Sequence, residues 1–209
     1  SRGIYAFNGN TGVQKWFYPG GTRVPTIGPD GTVYVGREDS NNRIIALDPA
    51  TGNVKWGFPS TVNPGNMAIG ADGTIYSSAD KLYALNPDGT KKWESTNTGS
   101  ELTIGKDGII YLYSGAYLTA LSPVDGSKLW FYNSSNVAGY PAIGTDGSLY
   151  VGLETNPKRL TRLNGTSGAI IWEVEPVYNR NFWTLNPILG VDGTVYTAGG
   201  VPGSGSSAH

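Results

Sequence analysis

The sequence of 209 residues contains no cysteine and a single histidine, His209, which is its last residue. The absence of cysteine excludes disulfides, a thiolate nucleophile and cysteine-ligated zinc or iron–sulfur centres. A single terminal histidine argues against a histidine-based catalytic triad or a multi-histidine metal site. No apolar run approaches the roughly 18 residues that a membrane-spanning helix needs. The sequence therefore points away from thiol chemistry and from helical membrane proteins.

Charge is also scarce. Charged residues make up 15% of the chain and the net charge is −1, against roughly 25% charged residues in an average soluble domain. This balance argues against binding to nucleic acid, or to an anionic membrane, through a basic surface. Small polar residues take the place of charge, which favours a periplasmic, cell-surface or secreted protein. Because the chain starts at Ser1 and shows no signal peptide, we expect a processed product, a trimmed segment or a fragment.

One eight-residue unit, Ile-Gly-x-Asp-Gly-Thr-x-Tyr, recurs five times with small changes. Its copies begin at Ile27, Ile69, Ile104, Ile143 and Leu189, at offsets of 42, 35, 39 and 46 residues. Each copy places an Asp-Gly dipeptide before a run of β-branched and aromatic residues, which is a strong signal for a β-hairpin. A repeat with a mean period near 40 outweighs every other signal in the chain.

A second unit lies between the copies of the first. Its best copy runs from Ile44 to Trp56, and the other copies end at Trp16, Trp93, Trp130 and Trp172. The unit predicts a strand ending in Ala-Leu-Asp, a turn closed by glycine, and a strand that carries the tryptophan. No helical periodicity of useful length is present.

Four short strands in about 40 residues are typical of one β-propeller blade. We name these strands A (through Ile27), B (through Tyr34), C (through Ala46) and D (through Trp56). The chain begins at a C strand and ends after a B strand, so its two ends are complementary halves of one blade. We therefore predict an all-β propeller of five four-stranded blades over residues 1–200. It would be closed by pairing the N-terminal strands C–D with the C-terminal strands A–B, which would protect the edge strands.

Two further expectations concern the limits of this domain. Residues 201–209 are rich in glycine and serine and predict a flexible tail. The alternative to a closed five-bladed ring is a fragment of a longer propeller.

The segment from Ala46 to Trp56 resembles the tryptophan-docking repeat of the quinoprotein dehydrogenases. It is equally similar to their non-enzymatic relatives, the PQQ-like repeat propellers, which include the outer-membrane assembly lipoproteins of the BamB type. The resemblance covers roughly residues 3–200. It implies that one tryptophan per blade packs against the neighbouring blade, with the indole N–H bound to a backbone acceptor. These residues are Trp16, Trp56, Trp93, Trp130 and Trp172.

The chain departs from this family in two ways. The family's rings have seven or eight blades, whereas only five repeats are present here. The aspartate of the motif is replaced in four copies, by Asn8, Asn86, Ser122 and Asn164.

The quinoprotein enzymes of the family hold pyrroloquinoline quinone with calcium, often beneath a vicinal disulfide and beside an aspartate base. This chain has no cysteine, and calcium needs several converging oxygen ligands. The repeated Asp-Gly pairs belong to separate turns. We therefore predict no cofactor and no metal, and we assign no catalytic residue.

The five repeats differ mainly in two of their connections. The A–B and C–D turns are constant and share one face of the predicted ring, whereas the D–A and B–C connections vary and share the opposite face, named the variable face. Binding residues tend to lie in such variable loops. The longest D–A segment contains Tyr178, Arg180 and Trp183, a set suited to stacking on a sugar or a peptide side chain. The alternative is that Phe182 and Trp183 fill the gap left by a longer loop.

The position just before each inner strand is expected to ring the mouth of the central channel. Its five occupants are Val24, Asn66, Glu101, Tyr140 and Asn186. The four polar members would bind a small polar ligand or ordered water. The candidate ligand-binding residues are therefore Tyr178, Arg180, Trp183, Glu101, Tyr140, Asn66 and Asn186.

The sequence favours a non-catalytic binding or scaffolding module of the bacterial envelope or exterior, which engages a protein, peptide or glycan through the variable face. We expect no nucleic-acid partner and no membrane insertion, and either a monomer or an assembly through the terminal half-blades.

An enzyme with its site at the channel mouth is the catalytic alternative. A glycoside hydrolase needs two carboxylates roughly 5 to 9.5 Å apart. Glu101 would be one, with Glu38, Asp39 or Glu154 reaching it only if their loops fold inward. A quinoprotein dehydrogenase is the second enzymatic reading. A structural fragment of a larger propeller or assembly is the third alternative to a binding module.

Overall fold

The structure, a computed structural model, is built from β-strands and turns. It describes residues 3–20, 24–37, 43–62, 64–99, 101–114, 117–133, 137–153, 159–175 and 185–198. Within these ranges every regular element is a strand, and no helix is long and apolar enough to cross a membrane.

The twenty strands follow one another in a regular order. The first ten are β1 (Gly3–Phe7), β2 (Gln14–Pro19), β3 (Thr26–Ile27), β4 (Val33–Arg37), β5 (Arg43–Leu47), β6 (Val54–Pro59), β7 (Met67–Ile69), β8 (Ile75–Ser78), β9 (Leu82–Leu85) and β10 (Lys91–Ser95). The other ten are β11 (Glu101–Ile104), β12 (Ile110–Tyr113), β13 (Tyr117–Leu121), β14 (Lys128–Asn133), β15 (Val137–Ile143), β16 (Leu149–Leu153), β17 (Arg159–Leu163), β18 (Ile170–Val174), β19 (Leu185–Leu189) and β20 (Val195–Ala198).

These strands form four four-stranded antiparallel sheets and two hairpins. Sheet 1 is β3–β6, sheet 2 is β7–β10, sheet 3 is β11–β14 and sheet 4 is β15–β18, each in sequence order. The strands β1–β2 form a first hairpin and β19–β20 a last hairpin. The predicted strands A, B, C and D are thus confirmed in the four complete sheets, with C–D in the first hairpin and A–B in the last, and the all-β propeller architecture with them.

The chain divides into two compact units. The first comprises residues 1–104 with 122–127, and the second comprises residues 105–121 with 128–209. The first unit holds the first hairpin and sheets 1 and 2. The second holds sheet 4 and the last hairpin.

The constant A–B turn owes its form to its aspartate and its two glycines. In sheet 1 the amide of Gly31 donates to the carbonyl of Gly28, and Gly31 has a φ of +83°. This is a type I turn followed by a glycine in the left-handed region. The Asp30 carboxylate accepts hydrogen bonds from the amide and hydroxyl of Thr32 at 3.0 and 2.7 Å. The Ile-Gly-x-Asp-Gly-Thr unit therefore forms a self-contained turn, in which the aspartate accepts hydrogen bonds from the threonine amide and hydroxyl.

The C–D turn explains why the aspartate of the motif is replaceable. In sheet 1 the Asp48 carboxylate accepts hydrogen bonds from the amides of Ala50 and Thr51. The side-chain oxygens of Asn8, Ser122 and Asn164 accept from backbone amides of their own turns. An uncharged oxygen makes the same bond, so these three departures from the family motif leave the turn intact. Asn86 instead donates through Nδ2 to the Thr90 hydroxyl at 2.9 Å.

A row of three side chains crosses each complete sheet. In sheet 1 Tyr34 pairs with Ala46 and Ala46 pairs with Trp56, and the tyrosine and tryptophan rings lie 5.7 Å apart over the alanine. The same row is Tyr76, Ala84 and Trp93 in sheet 2, Tyr111, Ala120 and Trp130 in sheet 3, and Tyr150, Arg162 and Trp172 in sheet 4. The middle residue is alanine in sheets 1 to 3 and Arg162 in sheet 4, where the tyrosine and tryptophan rings still lie 5.9 Å apart.

Four of the repeat tryptophans dock on a turn of the following repeat. The Nε1–H of Trp16 donates to the carbonyl of Pro49 at 2.9 Å, and a Cβ added to Gly52 would lie 2.7 Å from its ring. Trp56, Trp93 and Trp130 donate likewise to the carbonyls of Pro87, Pro123 and Gly165, at 2.9, 3.0 and 2.7 Å. A backbone acceptor for the indole, implied by the family resemblance, is thus present for these four tryptophans.

The apolar core lies between neighbouring sheets. Buried residues of sheets 1 and 2, among them Tyr34, Ile44, Met67, Ile75 and Leu85, form one cluster. A second cluster joins residues of sheets 3 and 4, and a third joins Trp16 to Val35, Ile45 and Leu47 of sheet 1. Burial therefore depends on one sheet covering the next, as the repeat predicts.

The first and last hairpins are separate two-stranded sheets. Among the described residues no backbone ladder pairs β1–β2 with β19–β20, so the predicted closure into a five-bladed ring is not made by strand pairing. The closed ring stays a prediction. The expected tail at 201–209 lies outside the described residues.

Candidate functional site

Asn66 and Glu101, two of the predicted mouth residues, are in direct contact. Asn66 immediately precedes β7 and Glu101 is the first residue of β11, so both lie at the start of an A strand. The Nδ2 atom of Asn66 donates to Oε2 of Glu101. Nearby, the Thr26 hydroxyl donates to the carbonyl of Met67 at 3.2 Å. The A strands of neighbouring repeats are therefore close enough for their first residues to form one polar group, as the sequence predicts.

Tyr140 and Asn186 form a second pair of the same kind. The backbone amide of Tyr140 donates to Oδ1 of Asn186 at 2.6 Å. Asn186 has a φ of +38° and is the one non-glycine residue with positive φ in the described part of the chain. Such a conformation is strained for most residues but tolerated by asparagine. The strained backbone aims the Asn186 amide at the neighbouring strand and fixes the pair.

The Tyr140 ring is held in place while half of it stays accessible. Tyr140 is 47% exposed, and its ring meets the edge of Tyr113 at 6.3 Å between centroids. Tyr113 is anchored in turn by a 2.8 Å hydrogen bond from its hydroxyl to the carbonyl of Val137. An aromatic side chain positioned in this way offers a large contact area at little cost in conformational entropy.

Tyr140 and Asn186 lie within strands rather than just before them. The strand β15 begins at Val137 and β19 at Leu185, and the register of β15 shifts between Ala138 and Ala142. Between the pairs Ala138–Gly152 and Ala142–Tyr150, β15 contains three residues and β16 only one, so two residues of β15 are extra and the side chains around them are re-aimed. The A strands of these two repeats therefore begin earlier in the sequence than predicted, although Tyr140 and Asn186 do contact each other.

The predicted aromatic loop cannot be placed. Tyr178, Arg180 and Trp183 lie outside the described residues. So do Glu38, Asp39 and Glu154, which the glycosidase alternative needs beside Glu101. A central channel joining the mouth residues of all repeats is not a feature of either unit taken alone, and it stays a prediction.

Two side-chain groups near the variable ends of the sheets were missed by the sequence reasoning. Tyr117 and Phe131 are 42% and 48% exposed and their rings lie 5.2 Å apart in sheet 3. Tyr117 starts strand C, next to the B–C connection. Only the strand register reveals this pair, because the two residues are fourteen positions apart in the sequence.

The second missed group surrounds Asp80, in the B–C connection of sheet 2. Its carboxylate accepts hydrogen bonds from the hydroxyls of Tyr83 and Ser60, at 3.1 and 3.4 Å. Burial, then Asp80, raise the pKa of Tyr83 to about 12. Burial raises the pKa of Asp80, but hydrogen bonds from Thr61 and Tyr83 outweigh it and the pKa is lowered. Asp80 is thus an acceptor that ties the B–C connection to the D–A connection.

Comparison with known proteins identifies the repeat. The family model described as outer membrane protein assembly factor BamB matches residues 1–136. The solved structure of BamB from Moraxella catarrhalis superposes with a TM-score of 0.61 at 17% identity. The superposition covers 94% of this chain and 67% of that one. A protein of unknown function from Bacteroides caccae superposes with a TM-score of 0.54 at 16% identity, covering 93% of this chain and 78% of that one.

No curated protein matches the sequence. At identities of 16 and 17% the structural likeness establishes the propeller fold. The family match covers well over half of the chain, and the repeats, turns and docked tryptophans described above agree with it. The chain therefore belongs to the family of the outer membrane protein assembly factor BamB, the propellers of PQQ-like repeats.

Proposed function

We propose that the chain is a non-catalytic binding or scaffolding module of the bacterial envelope, and that it engages polypeptide partners at the variable ends of its sheets. The family description, an outer membrane protein assembly factor, supports both the location and a protein partner. Peptide or glycan ligands remain the narrower alternatives for the same surface. Rigid propellers present loops on a fixed scaffold, which suits binding rather than motion.

The observation that carries the proposal is the half-exposed Tyr140. Its amide is fixed by Asn186 and its ring by Tyr113. Tyrosines are enriched at the centres of protein interfaces because the ring is large and rigid, with a polar tip. A residue whose backbone and ring are each held by a neighbour loses little entropy on binding, so most of its contact free energy contributes to affinity.

The constant turns have a different role. In the A–B and C–D turns aspartate, asparagine and serine side chains accept hydrogen bonds from their own backbone, and the glycines of four C–D turns face the docked tryptophans. These residues are committed to holding the sheets together. The surface free to recognise a partner is therefore at the opposite, variable ends.

A binding measurement tests this assignment. The probe is a fluorescently labelled peptide with the alternating aromatic and polar residues of an outer-membrane β-strand, titrated with the full chain. Because Tyr140 is the proposed central contact, Tyr140→Ala is expected to raise the dissociation constant about tenfold. The matched control is Leu129→Ala, since Leu129 is 48% exposed but is the second residue of the D strand, next to a constant turn. Equal effects of the two substitutions, or no binding by the unmodified chain, would contradict the proposal.

A further inference from the structure

A pair of positions on strands C and D lies near the variable end of each complete sheet. One is three residues before the middle residue of the tyrosine–tryptophan row, and the other directly follows the tryptophan. In sheets 2 and 4 the two residues form an ion pair. These ion pairs are Lys81 with Glu94 and Arg159 with Glu173. In sheet 1 the residues are Arg43 and Gly57, and a Cβ built on the glycine would lie 3.6 Å from Cδ of the arginine. A charged side chain therefore covers this place in three of the complete sheets.

Sheet 3 has an aromatic pair in place of the charged residues. Tyr117 and Phe131 occupy the two positions, with their ring centroids 5.2 Å apart and their planes inclined by 32°. The two side chains are 42% and 48% exposed, so both rings are accessible to a partner. Aromatic rings are enriched at binding surfaces, whereas charged residues are depleted at their centres. We therefore expect this departure from the repeat to serve recognition.

A lysine extends this aromatic pair. The ammonium group of Lys128 lies 5.7 Å from the centroid of the Phe131 ring, and the lysine is exposed. Within the described residues no carboxylate forms an ion pair with Lys128. Tyr117, Phe131 and Lys128 therefore form one exposed group, named the aromatic–lysine row. It combines two apolar rings with a positive charge that a carboxylate of a partner would complement.

The strand that carries Phe131 has a free edge. In the described part of the chain β14 is the last strand of sheet 3 and pairs with β13 on one side only. This pairing is regular from Trp130 to Asn133, and Leu129 is the extra residue of a bulge that precedes it. The free edge of a regular strand presents unpaired backbone N–H and C=O groups, to which another extended chain can bond.

The D strands of the other complete sheets carry residues that protect their edges. From the tryptophan onward, β6 contains Pro59, β10 contains Glu94 and β18 contains Glu173. Proline and charged side chains are common means of keeping an edge strand from pairing with another chain. From Trp130 onward β14 contains neither. The unprotected edge and the aromatic–lysine row thus occur on the same strand.

We propose that the free edge of β14 binds an extended segment of a partner polypeptide, which carries an aromatic residue and, two residues away, a carboxylate. The free edge determines that the partner is a strand, because an extended backbone bonds to such an edge along its length. Side chains two residues apart lie on the same face of a strand. The aromatic residue therefore packs on Tyr117 and Phe131 while the carboxylate reaches Lys128.

This inference rests on the proposed function, since it takes a polypeptide as the partner. It concerns a surface to which Tyr140 does not belong. The proposed function is tested with a different peptide and with Tyr140→Ala, so the two proposals can fail independently.

The experiment is a fluorescence titration of a labelled, threonine-rich peptide with the full chain. The peptide carries a phenylalanine and an aspartate two residues apart, and both orders are used because a strand can pair in either direction. The double variant Tyr117→Lys with Phe131→Glu gives sheet 3 the charged pair that sheet 2 has. It is expected to fold, as circular dichroism would confirm, and to raise the dissociation constant about tenfold or more because the ring contacts are lost.

Two single variants separate the contributions. Lys128→Gln is expected to raise the dissociation constant about two- to fivefold for the aspartate peptide, and to have no effect on a peptide with asparagine in its place. Leu129→Ala is the matched control, because Leu129 has the same 48% exposure as Phe131 but lies in the bulge, outside the regular edge. It should change the dissociation constant by less than about twofold.

Methylation of the peptide's backbone nitrogens tests strand pairing separately from the side-chain contacts. It removes the N–H donors and keeps the side chains, so a segment that pairs with β14 should bind about tenfold more weakly or worse. Equal binding of the methylated and unmethylated peptides would overturn the proposal. Equal binding by the double variant and the unmodified chain would overturn it too, and so would the failure of both peptides to bind the unmodified chain.

Discussion

The indole of Trp56 lies flat against Gly89, a residue of the next repeat, and its N–H donates to the Pro87 carbonyl of the same turn at 2.9 Å. A Cβ added to Gly89 would lie 2.6 Å from the ring, closer than real Cβ atoms approach. The Thr-Gly and Asp-Gly turns of the repeat are therefore docking surfaces for a tryptophan as well as tight turns. This contact joins one sheet to the next in each repeat where both partners are present.

Replacing Gly89 with alanine tests this contact. Gly89 has a φ of +87°, which costs an alanine about 1–2 kcal/mol, and the clash with Trp56 adds about 1–3 kcal/mol. Gly89→Ala is therefore expected to lower the free energy of unfolding by about 2–5 kcal/mol in urea titrations. Gly12→Ala is the control, because its φ is +69° but nothing lies within 4 Å of the added atom. It should cost only about 1–2 kcal/mol in the monomer, and equal losses would show that the indole contact contributes nothing.

The position between tyrosine and tryptophan requires a small residue wherever the following turn is docked. Ala84 is fully buried between Tyr76 and Trp93. Ala84→Arg is expected to cost about 3–5 kcal/mol, because a guanidinium would be desolvated there and the packing around the buried alanine disturbed. Arg162→Ala, the reverse change in sheet 4, should alter stability by less than about 1 kcal/mol, since it loses a partly exposed ion pair with Asp146 and a buried unpaired Nε. Chemical denaturation measures the free energy of unfolding of both variants. Similar losses of stability in the two variants would contradict the different requirements of sheets 2 and 4.

The A–B turn predicts a specific acid sensitivity. The Thr74 hydroxyl, followed by its amide and Lys92, outweighs burial and lowers the pKa of Asp72 to about 2. Because the pKa of Asp72 is lower in the folded chain than its value near 4 in the unfolded chain, its ionised carboxylate stabilises the fold above pH 4. This stabilisation is lost as the pH falls towards 2. Because the Asp72 side chain is 57% exposed, screening reduces this share to about 1 kcal/mol. Asp72→Asn should be less stable than the unmodified chain at pH 6 and equally stable at pH 2, and a constant difference between the two would contradict this.

Tyr111 predicts an alkaline counterpart. Burial, and then the charge of Asp107, raise its pKa to about 12. A raised tyrosine pKa stabilises the fold fully below pH 10, and this share of about 2–3 kcal/mol is lost as the pH rises towards 12. Between pH 10 and 12 the unmodified chain should therefore lose more stability than Tyr111→Phe. Absorbance at the tyrosinate band gives a direct check, because a folded-state ionisation of Tyr111 near pH 10 would show the shift to be absent.

The repeat made most of the fold predictable. Asp-Gly dipeptides such as Asp30-Gly31 mark the A–B turns, and the glycine before each tryptophan marks the C–D turns, so strand order follows from local chemistry alone. The acceptors of four indoles are also as expected. The sequence did not predict that Arg162 lies between Tyr150 and Trp172, because that position depends on which side chains meet in the folded sheet.

The candidate site was predictable only in part. That Asn66 meets Glu101 follows from placing the A strands side by side, which the repeat implies. That Tyr140 meets Asn186 within strands depends on the bulge in β15 and on the positive φ of Asn186, neither of which has a sequence signal. The exposed pair of Tyr117 and Phe131 depends on cross-strand register, which a single sequence does not define.

The proposal that partners bind at the variable ends is tested most directly by photo-crosslinking in bacterial cells. A photoreactive amino acid replaces Tyr140 in one strain and Val124, a 79% exposed residue of a constant turn, in another. The account predicts discrete protein adducts from position 140 and none from position 124. Adducts of equal yield from both positions, or from position 124 alone, would contradict it.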